Sequence, residues 1–247
     1  MSSSKFPPAQ PHGALREVFP GVFFVTGTVG MPGPLPVRFS RNMTVVREGE
    51  RLTLINSVRL SEEGLRALDA LGKVTDVVRL AGFHGMDDPF YKDRYGAKVW
   101  AVKGQRYVTG FNVRAPKTYF TPDVEMDADT ALPLAGAKLY LFGTDPPEAI
   151  LVLDRDGGVA VSGDSLQHWH QTDAYFSFVG GLMMKLMGFI RPFNVGPGWL
   201  KQAKPSGEAL RGVLGLRFEH LLPAHGDVIQ GGACERYRAS IERAAAR

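Results

Sequence analysis

Four residues with metal-ligating side chains stand at or just beyond the ends of apolar, strand-like runs. They are His84, Asp88, Asp164 and His225. Such runs are typical of buried strands, which deliver the side chains that follow them to a common site. Imidazole nitrogens and carboxylate oxygens are ligands suited to zinc, iron or manganese. The sequence therefore predicts a metal site formed by these four residues.

Each of these residues also has an ordinary structural interpretation. A histidine after a strand can be a hydrogen-bonded structural residue, and a strand followed by Gly-Asp, as at Asp164, is a common turn. Asp87 or Asp88 is expected to cap the helix that follows. His225 is the sharpest candidate, because a histidine between Ala and Gly has little to pack against. Asp227, two residues on, would orient it.

A further histidine pair, His168 and His170, follows Asp164 in the segment Gln-His-Trp-His-Gln. In extended backbone, alternate residues lie on one side, so both imidazoles would face the same way. The pair is either a second source of ligands or a polar loop beside Trp169, and the loop is the favoured interpretation.

The apolar and turn patterns predict the elements that position these residues. Ser61, followed by two glutamates, is a good helix N-cap, and Asp156-Gly157 between apolar runs predicts a hairpin. Strands are predicted at 18–26, 37–46, 52–56, 74–81, 98–102, 137–142, 149–154, 158–162 and 218–222. Helices are predicted at 61–72, 88–95, 175–189, 206–214 and 233–246, with 103–131 irregular. This order indicates two similar half-units, each a sheet covered on its outer face by helices.

The bulk composition is that of an ordinary globular protein, with 44% hydrophobic and 22% charged residues in 247. We expect residues 1–16 to be a flexible lead-in and 17–247 to be a single domain. The formal charge of +4 comes from dispersed basic residues, which argues against nucleic acid as a partner. Cys234 is the only cysteine, so no intramolecular disulfide can form; together with the lack of an apolar secretory signal, this predicts a cytoplasmic location.

The longest apolar stretch, 176–190, is interrupted by Lys185 and is shorter than the roughly 20 apolar residues of a membrane span. Its Met-rich part, 182–190, would suit a groove for an apolar acyl substrate or a homodimer contact. The favoured interpretation is a helix packed on a sheet.

The candidate residues resemble, in kind and order, the metal-binding signature of the metallo-β-lactamase-fold superfamily over roughly residues 17–230. That signature is HxHxDH after one strand, then a His in a turn, then Gly-Asp and a late His. His84 and Asp88 match the first motif, Asp164 the bridging Asp and His225 the late His. The departures are Met86 and Pro89 in place of two histidines, and Thr144, next to Asp145, in place of a third.

The resemblance implies an α+β fold, a four-layer αββα sandwich. In the family, three histidines hold one metal, and of these only His84 is present. The second metal uses ligands that Asp88, Asp164 and His225 match. The resemblance therefore implies one retained divalent ion, zinc first with iron or manganese as alternatives, completed by His84, Asp87 or His168.

The function that follows is a metal-dependent hydrolase acting on a small-molecule substrate, with Asp88 and His84 as catalytic residues. The alternative is a binding or scaffold protein that keeps the fold and has lost the metal. The Met, Pro and Thr replacements favour this alternative, whereas the retention of Asp88, Asp164 and His225 favours the hydrolase.

Overall fold

The structure is a computed structural model that describes residues 5–31, 37–109, 112 and 114–247. Residues 1–4 of the predicted lead-in, and residues 110, 111 and 113 of the segment predicted to be irregular, lie outside the described part. Within the lead-in, residues 11–13 lie along the second strand, where Gly13 N–H donates to the carbonyl oxygen of Thr26 at 2.8 Å. The domain boundary at residue 16 stays a prediction.

The N-terminal half forms a seven-stranded sheet in which the strands lie in sequence order. The first four strands pair antiparallel as a meander, and the last three are added in parallel. The strands are β1 (Arg16–Phe19), β2 (Val22–Met31), β3 (Val37–Glu48), β4 (Arg51–Ile55), β5 (Lys73–Arg79), β6 (Lys98–Val102) and β7 (Val124–Met126).

The C-terminal half forms a four-stranded sheet of β8 (Lys138–Leu141), β9 (Ala149–Leu153), β10 (Val159–Ser162) and β13 (His220–Pro223). The predicted hairpin joins β9 to β10, which pair antiparallel. β10 also pairs in parallel with β13, so both strands end at the same edge. A two-stranded sheet of β11 (Leu166–Gln167) and β12 (Asn194–Val195) lies beyond β10.

Three helices begin at a serine cap, whereas Asp87 makes no side-chain cap hydrogen bond and Asp88 binds Ser57 and Tyr107, so the cap expected from these two aspartates is not formed. The Ser61, Ser177 and Ser206 hydroxyls accept N–H hydrogen bonds in the first turns of α1, α3 and α5. The helices are α1 (Glu62–Asp69), α2 (Asp88–Tyr95), α3 (Phe178–Leu186), α4 (Pro197–Ala203), α5 (Gly207–Gly212) and α6 (Ala233–Ala245), with a 3-10 turn at Val213–Leu216. None of the helices in the described residues is long and apolar enough to cross a membrane.

The buried side chains form three apolar layers, which follow from the two-residue period of the strands. Val25 of β2 packs in the layer beneath α1 and α2, whereas its neighbour Phe24 packs between the two sheets. In β9, Leu151 faces the other sheet, and Ile150 packs against α4, α5 and α6. Three apolar layers separate four layers of structure, so the predicted αββα sandwich is confirmed.

The structure contains elements that were not predicted separately from the sequence: the short strands β1, β7, β11 and β12, and the helix α4. β7 lies inside the segment predicted to be irregular. It has only three residues, all paired with β6, and so short a strand gives no clear pattern in the sequence. α4 begins at a Gly-Pro-Gly sequence, which is typical of a turn, and it was not among the predicted helices. Pro197 instead occupies the first helical turn, where its missing N–H removes no hydrogen bond, and Trp199 and Ala203 anchor the helix in the core.

Candidate metal centre

Three of the four predicted ligands converge at one edge of the sandwich. His84, Asp164 and His225 each offer a ligand atom, and these atoms all lie within 4.8 Å of one another. The Asp164 Oδ1 atom is 3.2 Å from His225 Nε2, and its Oδ2 atom is 3.4 Å from His84 Nε2. The two Nε2 atoms are 3.2 Å apart. This arrangement aims two imidazoles and one carboxylate at one small volume.

The convergence follows from the strand connections. β10 and β13 run in parallel with Ser162 opposite Pro223, so Asp164 and His225 emerge side by side, two residues beyond this pair. His84 arrives from the other sheet, in the loop that follows β5. That loop is attached to the second sheet where Ala149 N–H donates to the carbonyl oxygen of Leu80 at 3.0 Å. The site therefore lies where the two sheets meet.

His225 is held from behind by β3. Its Nδ1 lies 3.0 Å from the carbonyl oxygen of Ser40, so this nitrogen carries the proton and Nε2 keeps its lone pair for the site. The amide of Asn42 donates to the carbonyl oxygens of Pro223 and Gly226 at 2.9 and 2.7 Å. The prediction that Asp227 orients His225 is wrong, because its carboxylate instead lies 3.2 Å from His170 at the surface.

Gly226 is required by the close approach of a neighbouring strand. Its φ of +99° is unfavourable for other residues, and a Cβ there would lie 2.1 Å from the carbonyl oxygen of His168. The His168 N–H donates to the carbonyl oxygen of His225 at 3.0 Å, so the two backbones support each other. The backbone of His168 thus positions the candidate ligand.

The electrostatics of the site suit a cation. Burial lowers the pKa of His84, which favours the neutral imidazole that a metal requires. Burial alone would raise the pKa of Asp164, but the neighbouring imidazoles of His84 and His225 outweigh it and hold that pKa below its usual range. Asp164 Oδ2 and His84 Nδ1 are buried and make no hydrogen bond. Unsatisfied buried carboxylate oxygens are rare, so the donor set fits a divalent ion.

A second carboxyl group, Glu148, lies beneath Asp164 and was not identified from the sequence. Its Oε1 accepts the Ser165 N–H at 2.5 Å, and its Oε2 has no partner. Burial raises its pKa well above the usual range, and the nearby Asp164 adds to this effect. Burial therefore favours the neutral form of Glu148, and its contact with Ser165 N–H helps to shape the Asp164 turn. A lone Glu after Pro-Pro carries no pattern that would have revealed this role.

The structure places Asp88, the fourth predicted ligand, apart from this group. It is fully buried, and its two oxygens accept hydrogen bonds from Ser57 Oγ and Tyr107 OH, both at 2.5 Å. Burial raises its pKa, although these hydrogen bonds act in the opposite direction. Both oxygens are already engaged by protein donors, so Asp88 supports the loop that carries His84. Ser57 and Tyr107, distant in sequence, were not identified from the pattern.

The other residues considered as replacement ligands also have partners. Asp87 forms a buried ion pair with Arg41 at 2.5 Å. Asp145 pairs with Arg114 at the surface. The His168 Nδ1 accepts the Phe193 N–H at 3.0 Å, and burial lowers the pKa of this ring to about 4. The pair His168 and His170 is a polar loop, the interpretation favoured from the sequence.

The residues at the missing histidine positions are not members of the candidate ligand group. Met86 is 43% exposed and lines the cavities on both sides of His84. Pro89 starts α2. The hydroxyl of Thr144 donates to the carbonyl oxygen of Pro146 and is bound within its own turn.

A cavity of about 320 Å³ opens directly onto the three candidate ligands. Most of its lining is apolar, with Phe39, Trp169, Met183, Met184, Met187 and Trp199 around it. Its cationic lining residues are Arg41 and Lys201. Arg41 was not identified from the sequence, because an arginine in a strand is ordinarily expected to be exposed. In the structure its side chain is only 5% exposed. An apolar cavity with a few polar groups at one end is typical of a small-molecule site.

Comparison with known proteins identifies the fold. No protein-family model matches the sequence, and no curated protein matches it. Many solved structures do match, and strongly similar ones among them are metallo-β-lactamases. The chain has the metallo-β-lactamase fold, so the resemblance seen in the sequence is confirmed at the level of the fold.

Three of these structures illustrate the likeness. The metallo-β-lactamase FIM-1 from Pseudomonas aeruginosa, in its mono-zinc form, has a TM-score of 0.63 at 14% identity, over 98% of this chain and 99% of that one. VMB-1 gives 0.64 at 13% identity, over 94% and 97%. The metallo-β-lactamase from Erythrobacter litoralis gives 0.59 at 15% identity, over 93% and 92%. At these identities the likeness concerns the fold alone.

Proposed function

We propose that this protein is a metal-dependent hydrolase with a mononuclear site formed by His84, Asp164 and His225. One observation carries the proposal: two Nε2 atoms and a buried carboxylate converge within 4.8 Å, with one carboxylate oxygen lacking any hydrogen-bond donor. Zinc is the first candidate ion, with iron or manganese as alternatives. In this proposal, Asp88 is a support for the His84 loop and not a ligand.

The chemistry follows from the number of ligands. A divalent ion with three protein ligands keeps an open position for water, lowers the pKa of that water and polarises a carbonyl or phosphoryl oxygen. His225 is held in one tautomer by the Ser40 carbonyl group, and the ionised Asp164 supplies the balancing negative charge. Arg41, fixed by its ion pair with Asp87, is available beside the site to attract an anionic or carbonyl group.

The cavity supports a substrate with an apolar portion. Its methionine side chains adapt to irregular apolar shapes, and its Trp rings give flat walls. These features favour an ester, thioester or lactone whose acyl part is apolar. The fold does not choose among these substrates, so the argument depends on the cavity.

The test has two parts. Protein purified without chelator and then supplied with zinc, iron or manganese should hold a stoichiometric ion, measured by elemental analysis. The loaded protein should hydrolyse nitrophenyl esters, with medium-length acyl chains preferred over acetate. A chain that takes up no ion from any of the three metals would overturn the proposal.

A second candidate function is a metal-free binding protein with the same cavity. The observation that favours it is the 3.2 Å contact between Asp164 Oδ1 and His225 Nε2, which is a hydrogen bond if that nitrogen is protonated. Binding of a fatty acid by protein that holds no metal and hydrolyses no ester would support this function over the first.

A further inference from the structure

One face of α3 presents a row of apolar side chains to solvent. Phe178, Leu182 and Leu186 are 88%, 52% and 80% exposed, and Met187, just after the helix, is 55% exposed. The first three are spaced four residues apart, so they lie along one side of the helix. Large apolar side chains grouped in this way mark an interaction surface.

The helix that carries this row is firmly attached to the fold. Arg38 N–H donates to Ser177 Oγ at 3.0 Å, and Ser177 N–H donates to the carbonyl oxygen of Arg38 at 3.1 Å, so the start of α3 is tied to β3. On its inner side, Gly180 lies so close to β3 that a Cβ there would be 2.2 Å from the Arg38 carbonyl oxygen. Met184 is buried beside it. The outward direction of the apolar row is therefore set by packing.

A basic groove of about 690 Å³ begins where this row ends. Leu186 and Met187 form part of its wall. Its lining contains no Asp or Glu. Five exposed cationic residues line it: Arg191, Lys201, Lys204, Arg243 and Arg247.

The charge of this groove is not neutralised by the protein. None of its five cations forms an ion pair within the described ranges, although neighbouring arginines do: Arg211 pairs with Glu242 and Arg238 with Glu235. Lys185, exposed on α3 itself, adds a further positive charge beside the apolar row. An exposed apolar row next to unpaired cations is the pattern of a helix that lies in a membrane interface.

We propose that the face formed by α3 and the basic groove docks on the surface of an anionic lipid bilayer. The apolar row would enter the headgroup and acyl boundary, while the cations bind lipid phosphates. A second copy of this chain fits less well, because a two-fold contact would place the same unpaired cations opposite one another. The proposal does not depend on the metal chemistry, and docking can be measured in metal-free protein.

The surface is also continuous with the candidate metal centre. Met187 and Lys201 line both the basic groove and the apolar cavity that reaches His84, Asp164 and His225. A bilayer held against α3 would therefore lie next to the opening of that cavity. Apolar acyl compounds partition into bilayers, so this position would supply them directly.

The test is flotation of the full chain with vesicles of phosphatidylcholine alone, or of phosphatidylcholine with phosphatidylglycerol. We expect binding to the anionic vesicles and little to the neutral ones, with binding weakened as salt rises above about 0.1 M, where the screening length is about 10 Å. Replacing both Leu182 and Leu186 by Ser should weaken binding at least about ten-fold. Reversing Lys204 and Arg243 to Glu should weaken it on the order of 30-fold, since each cation near an anionic bilayer contributes about five-fold.

Matched controls separate this surface from overall charge. Lys73 and Lys138 are exposed at the opposite ends of their strands from the candidate metal centre, and Lys73→Glu with Lys138→Glu makes the same change in net charge. This control should bind vesicles nearly as the unmodified chain does. Equal loss in both double variants would overturn the proposal. Binding of soluble glycerol phosphate without any binding to vesicles would also overturn it. The same holds if the chain does not bind vesicles but forms a dimer, and the Leu182→Ser substitution dissociates that dimer.

Discussion

Replacing two aspartates in turn separates a metal ligand from a structural support. Asp164→Asn and Asp88→Asn make the same carboxyl-to-amide change at a candidate ligand and at a buried residue of the segment that follows His84. Asp164 lies 3.2 and 3.4 Å from two imidazole Nε2 atoms, and its Oδ2 has no donor. Asp88 has both oxygens occupied by hydroxyl donors, Ser57 and Tyr107. Only the first substitution should affect metal binding strongly.

The expected magnitudes follow from these contacts. Loss of an outer partner of a metal ligand typically weakens binding by about 10- to 100-fold. Loss of one of three ligands should exceed this, so Asp164→Asn should weaken binding by more than about 100-fold, or roughly 2.7 kcal/mol. Asp88→Asn acts on the His84 loop only indirectly and should fall below about 10-fold. Competition with a chromophoric zinc chelator measures both values on one scale.

Two results would refute this reasoning. The first is an Asp88→Asn protein that loses metal as completely as Asp164→Asn, since Asp88 would then be a ligand as the sequence resemblance implied. The second is an Asp164→Asn protein that keeps its metal, which would place the site elsewhere. Near-ultraviolet circular dichroism of both variants checks that they are folded, so loss of metal cannot be confused with unfolding.

Two further predictions concern stability. Gly226→Ala should destabilise the fold by more than about 2 kcal/mol in urea unfolding, because it adds a clash with the His168 carbonyl oxygen to an unfavourable φ. The control Gly49→Ala, at φ +60° with no atom within 4 Å of the added Cβ, should cost about 1 kcal/mol. Equal losses of stability in the two variants would contradict the predicted clash at Gly226. Asp88 has a raised pKa when folded, so its contribution to stability is fully present below pH 3.8 and is lost as pH rises through the folded pKa. Asp88→Asn should therefore gain stability relative to the unmodified chain as pH rises above about 4, and a constant difference would exclude this explanation.

The strand ends were the part of the site that could be predicted from the sequence. Asp164 and His225 each follow an apolar run, and parallel pairing of those two strands brings them together. His84 comes from the other sheet, and it was grouped with them from its position after an apolar run and from the resemblance. Asp88 shows why the ligand set was harder to predict: its partners, Ser57 and Tyr107, are 31 and 19 residues away, and no local pattern reports such contacts.

The helices show the same division between local and distant causes. α1 was predicted well because its cap at Ser61 and its buried Leu65 and Leu68 are local features. α4 was missed because its stability comes from Trp199, which packs against Phe142, a residue distant in the sequence, with ring centres 4.8 Å apart. The outward direction of α3 is also a tertiary property, because a helix that is apolar nearly all round has no preferred face until one side packs.

The departures from the family pattern and the apolar cavity have a common origin. Where the resemblance places a second histidine, Met86 instead contributes a thioether to the walls of both cavities around His84. Where it places another, Thr144 is engaged by its own turn and is not among the residues that line the apolar cavity. In the proposed site, Met86 therefore accounts both for one of the histidines that the resemblance would place there and for part of the apolar surface beside the candidate ligands.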